Sequence, residues 1–133
     1  MLVEVELYQV IITEGSPTQS IVLREKSGER IIPIFIGYAE AMAIDRKLKD
    51  VEVPRPLTHD LLKALIEQMG GKMERVVLND LRDGTYYALL CINRDGETIE
   101  VDARPSDAIA LAVRTGAPLF ADEEVINKAM SPE

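Results

Sequence analysis

Three short stretches of this sequence recur, in the same order, in its second half. TEGS at 13–16 is answered by RDGT at 82–85, SGERI at 27–31 by DGETI at 95–99, and EAMAI at 40–44 by DAIAL at 107–111. Gly15 and Gly84 stand 69 residues apart, and the offset shortens by one at each later match, as single deletions in turns would produce. Self-similarity of this kind marks a repeated structural unit. It constrains the fold strongly, because whatever the first half forms the second half must form as well.

The hydrophobic pattern says what that unit is. Residues 2–12 alternate as a half-buried strand, QSIVLRE reads as a second strand, and RIIPIFI as a third that is apolar enough to be covered on both faces. Pro33 inside that third strand places it at an edge or a bulge. GYAEAMAIDRKLKD then has helical spacing. The second half repeats the order with KMERVVLNDL, TYYALLCIN and ETIEVDA, joined by two Arg-Asp-Gly turns, followed by a helix from about Ser106 to Arg114. A linking helix over about 58–70 carries Leu61, Leu62, Leu65, Ile66 and Met69 in one stripe, with Thr58 as its N-cap. APLFA reads as a short strand, DEEVINKAM as a short final helix and SPE as a tail. The expected architecture is therefore α+β: one domain over 1–133, with repeat halves at about 2–50 and 72–116.

A length of 133 residues suits one core, and that core must rest on aliphatic side chains, because aromatics make up 5% and Trp is absent. The 15 basic and 23 acidic residues give a net charge of −8, which argues against nonspecific binding of polyanions. No apolar run approaches the roughly 18 residues that a membrane span needs. The single cysteine, Cys91, lies inside ALLCI and reads as a small buried hydrophobe. With one cysteine, and a strand-like opening in place of a charged-then-apolar leader, the expected location is cytoplasmic.

Two polar clusters, PRPLTHD at 54–60 and DARPSD at 102–107, each set an arginine beside a proline, a hydroxyl residue and a carboxylate at a helix start. Free N–H groups at such a start, with a bidentate arginine beside them, form a seat for phosphate. Arg55, Thr58, Arg104 and Ser106 are the candidate phosphate ligands. Glu40, Asp102 and Asp107, together with Asp60, offer the oxygens that Mg²⁺ or Mn²⁺ prefers. His59, the one histidine, is the candidate proton shuttle, with Asp60 and Asp107 as catalytic carboxylates. The same residues serve equally as ordinary N-caps, first-turn acids and loop-fixing ion pairs. There is no zinc-type spacing, phosphate loop or dinucleotide glycine pattern, so no organic cofactor is expected. On residues alone this is a polar cleft of open chemistry.

PRPLTHDLL together with RPSDAIALAVRTGAPLF resembles the bifunctional nuclease domain family, and IPIFIGYAEAMAI is similar to that family's strand-to-helix segment. The resemblance covers roughly residues 3–125, and Glu40, Pro54, Arg55, Pro56, Thr58, His59, Asp60, Arg104, Pro105, Ser106 and Asp107 carry it. It implies a nuclease acting on DNA and RNA, an α+β fold with an internal duplication, and a wedge-shaped homodimer whose broad groove is taken as the active site. A non-catalytic module that binds an anionic small molecule or a partner protein in the same cleft is the alternative. A scaffold whose helices build the dimer is the third reading.

Overall fold

The computed structural model describes residues 1–131; the last two residues of the expected tail, 132 and 133, lie outside them. The elements are β1 (Leu2–Ile11), β2 (Thr18–Glu25), β3 (Ile31–Gly37), α1 (Tyr38–Leu48), α2 (Thr58–Gln68), β4 (Gly71–Arg82), β5 (Thr85–Arg94), β6 (Glu97–Ala103), α3 (Pro105–Thr115), β7 (Leu119–Asp122) and α4 (Glu123–Met130). All strands join one mixed sheet in the order β3-β2-β1-β7-β4-β5-β6. Each half is an antiparallel meander of three strands followed by a helix. The short strand β7 stands between the meanders, antiparallel to β1 and parallel to β4. The class is α+β, as the periodicity predicts.

Local chemistry explains the meanders. β4 joins β5 through Asp83-Gly84, and β5 joins β6 through Asp95-Gly96, with all four residues at positive φ. Two-residue Asp-Gly loops of this kind match the twist of paired strands. Strand alternation then sends one set of side chains inward: Ile21 and Leu23 of β2, Ile32 and Ile34 of β3, Val76 and Leu78 of β4, and Ala88, Leu90 and Ile92 of β5. Ile44 of α1, Ile109 and Leu111 of α3, and Val125 and Ile126 of α4 complete the same cluster. Cys91 is buried and free, as expected of a small hydrophobe.

The structure departs from the sequence pattern in three places. β3 is an edge strand, which accommodates Pro33, but only one of its faces is covered; Ile31, Pro33 and Phe35 on the other face are exposed. The leucine stripe of α2 is not core. His59 is the buried residue of that helix, whereas Leu61, Leu65 and Met69 are 52%, 48% and 62% exposed. Thr58 and Ser106 are not N-caps, because Leu57 and Arg104 hold those positions. In α2 the capping bond comes instead from the third residue, where Asp60 Oδ2 accepts from the Leu57 N–H at 3.0 Å.

Ile109, 1% exposed, joins α3 to the sheet. Ile109→Ala is expected to cost about 2–5 kcal/mol, read as a lowered midpoint in urea denaturation.

Candidate functional site

Glu40 in α1, Asp60 in α2 and Asp107 in α3 each occupy the third position of their helix. An acid there faces unpaired N–H groups and the positive end of the helix dipole. What distinguishes the three is the partner each takes.

Asp107 receives the most. Its Oδ1 accepts from His59 Nε2 at 2.9 Å and from Arg104 Nη2 at 3.2 Å, and its Oδ2 accepts from Arg104 Nε at 2.9 Å. Arg104 Nη1 donates to Glu40 Oε2 at 3.1 Å. The chain His59–Asp107–Arg104–Glu40 thus ties the starts of α2, α3 and α1. Gly37 makes the last link possible, because the Glu40 carboxylate folds back over it and occupies the space a Cβ would need. A carboxylate cannot donate, so in the neutral imidazole the proton of His59 sits on Nε2 and Nδ1 is the acceptor. Burial alone would push the Asp107 carboxyl up; the hydrogen bonds from Arg104 and His59 outweigh it and hold the group below the ordinary aspartate range. The same contacts raise Arg104, first through Asp107 and then through Glu40.

Asp60 is committed elsewhere. Its Oδ1 accepts from Arg114 Nε at 2.8 Å while Oδ2 holds the α2 start. Arg114 also donates to the carbonyls of Ala110 at 2.9 Å and Ala43 at 3.0 Å. With its side chain 4% exposed, Arg114 joins α1, α2 and α3 from inside. Both oxygens of Asp60 are thus engaged, one at this junction and one at the start of α2.

A groove of about 550 Å³ is lined by Glu40, Thr58, His59, Arg104 and Asp107, with Arg46 and Arg114 completing its wall. Arg55 lines an adjoining cavity that shares Arg46, Pro56, Leu57 and Arg114 with it. Ser106 is buried and lines a third cavity on the other side of Glu40 and Arg104. Asp102 joins none of these. It sits opposite Leu89 in the β5–β6 pairing, and alternation turns it to the face away from Ala103, which packs on the core. The expected metal set Glu40, Asp102 and Asp107 is therefore not assembled. Arg104 spans the first and third of these, and no group of three His, Cys, Asp or Glu suited to a metal occurs among the described residues.

Sequence reasoning missed Arg114 and Arg46. The signal for Arg114 was present in AIALAVRTG, where one cation ends an otherwise aliphatic helix.

An arginine and a histidine thus converge on helix-start carboxylates in one groove of an α+β fold. The chain belongs to the bifunctional nuclease domain family, whose model matches residues 21–133. It is 41% identical over 126 residues to an uncharacterized protein of Mycobacterium tuberculosis, covering 95% of this chain and 75% of that one. It is similar to bifunctional nuclease 2 of Oryza sativa subsp. japonica (33% identity over 112 residues, 81% of this chain) and to bifunctional nuclease 1 of Arabidopsis thaliana (28% over 108 residues, 78% of this chain). The match spans about a third of each of these plant relatives, 34% and 33% of their lengths. No helix among the described residues is long and apolar enough to cross a membrane.

Arg114→Ala is expected to cost about 3 kcal/mol or more, since it leaves a buried junction unpaired. The hydrogen bond from Arg114, and then the one from Leu57, holds the Asp60 carboxyl below its ordinary value. A depressed carboxyl contributes stability that is complete above the unfolded value near pH 4 and is lost as the pH falls through the folded value. Asp60→Asn should therefore lower stability at pH 7 and flatten its loss on acidification, measured by urea unfolding at pH 7 and pH 3.

Proposed function

We propose that this chain is a cytoplasmic nuclease that hydrolyses phosphodiester bonds of DNA and RNA in the His59 groove. One observation carries the reading: His59, Asp107, Arg104 and Glu40 form an unbroken hydrogen-bonded chain along one groove. The family name and the plant nucleases to which it is similar support the same substrate class.

The roles follow from the contacts. Arg104 uses three of its five N–H groups on Asp107 and Glu40, which leaves two to receive a phosphate oxygen. Arg46 lines the same groove and adds a second cation. His59 Nδ1 accepts the proton of a water as that water's oxygen bonds to phosphorus. Asp107 holds the ring by its Nε2–H and steadies the imidazolium that forms. Negative charge building on the phosphoryl oxygens meets Arg104. The P–O ester bond then breaks, and the departing oxygen takes its proton from solvent. Affinity rests on a few arginines in a chain of net charge −8, so binding should be modest and should weaken further with salt.

The reading includes a homodimer. Ile66 and Ile92 close over Gly71, and Ile92 pairs with Ile99 across β5–β6, with Val101 on the same face of the edge strand. Exposed Leu61, Leu62, Leu65 and Met69 of α2 border this face, together with exposed Ile99 and Val101. Exposed apolar residues on one helix and one edge strand support an association site there.

Purified protein incubated with single-stranded DNA and RNA should cleave both, and arms with Mg²⁺, Mn²⁺ and chelator will report any metal requirement. His59→Asn should lower the rate by about 10²–10⁴. Intact substrate in every arm, or equal cleavage by the variant, removes the reading; thermal stabilisation by nucleotides without turnover transfers the groove to a binding module. Light scattering should show a dimer that Leu65→Glu converts to a monomer, and a monomeric parent would refute the assembly.

A further inference from the structure

Arg104 and Glu40 have a second side. Beyond them lies a cavity of about 380 Å³ whose lining includes Phe35, Tyr86, Thr85 and Ser106. None of these enters the chemistry above. The two spaces share Glu40 and Arg104 as a common wall, so a phosphate held by Arg104 has room for a neighbouring nucleoside on the far side.

Phe35 is the unexplained residue. The chain has two phenylalanines and no tryptophan, yet this ring is 76% exposed at the cavity rim. Its partner across the β2–β3 pairing is Ser20, too small to cover it, and β3 is the sheet edge, so no strand flanks its other side. A core role is excluded, because the inward face of β3 is made by Ile32 and Ile34. An open aromatic face next to an arginine-lined groove is the arrangement by which single-stranded nucleic acid is held without regard to sequence. Tyr86 supplies a second ring in the wall, half-buried, with its hydroxyl kept protonated by burial. Thr85, Ser106 and Glu40 bring hydrogen-bonding groups to the edges of whatever lies flat there.

We propose that this cavity is a nucleobase subsite: the base next to the phosphate gripped by Arg104 stacks on Phe35 at the rim and lies against Tyr86. The inference rests on the nuclease reading and narrows its substrate to strands whose bases are free to unstack, which are single-stranded or frayed.

The test is a binding measurement on the full chain at fixed low salt, using fluorescence anisotropy with a short oligothymidylate and the same strand carrying one abasic residue at successive positions. At one position the abasic strand should bind about ten-fold more weakly, the scale of one lost base–aromatic stack. Phe35→Ala should bind the intact strand about ten-fold more weakly and lose the discrimination, and Phe35→Trp should restore both. Equal binding of intact and abasic strands by the parent chain, discrimination that survives in Phe35→Ala, or no strand binding at all overturns the subsite. So does a change of oligomeric state in Phe35→Ala by light scattering, which assigns the ring to a contact between copies. Cleavage is scored separately. A chain that discriminates abasic strands but cuts nothing keeps the subsite and loses the nuclease reading, and a chain that cuts without discriminating does the reverse.

Discussion

The site depends on where α2 lies, and α2 has little apolar core to fix it. Its buried residue is a histidine, and Ile66 reaches only the periphery of the core cluster. The Arg114–Asp60 pair takes over that task. A guanidinium almost wholly removed from water is costly, and the cost is met only when each face of the group finds a partner in good geometry. Arg114 finds three, on α1, α2 and α3. Such a junction contributes little net stability compared with apolar packing, but it permits very few placements of α2. His59 is one residue from Asp60, so fixing Asp60 also sets the histidine against Asp107.

One local rule, an acid at the third position of a helix, has been put to three uses. Asp60 became a joint, Asp107 the acceptor shared by His59 and Arg104, and Glu40 a strut that aims Arg104. Their helix-start setting is the same, so the difference arises from which cation the fold brings to each. This also accounts for how a strongly acidic chain gathers arginines along one groove. The arginines are few but gathered, and the nearby acids orient them and leave N–H groups free.

The strands, the Asp-Gly turns and all four helices were legible in the sequence, because period-two and period-3.6 patterns reflect burial directly. The convergence of His59, Arg104 and Asp107 was legible from residue type and helix-start position. Three things were not. The covered face of RIIPIFI was misjudged because a run of aliphatics does not record whether β3 has a neighbour on one side or two. The exposure of the stripe on α2 was not legible because apolar periodicity marks a face to be buried without naming what buries it. Asp102 looked like a ligand because it is adjacent in sequence to the right cluster, whereas strand alternation turns it to the opposite face.

β7 is four residues long and comes from late in the chain, yet among the described residues it is the strand through which the two meanders meet in the sheet. β1 is made well before residues 119–122, and its second edge stays unpaired until they arrive. Until then each meander offers an open, aliphatic-rich edge of the kind that recruits other strands. Closure is a long-range event that cannot precede the synthesis of residues 119–122, so the newly made chain passes through a stage open to mispairing.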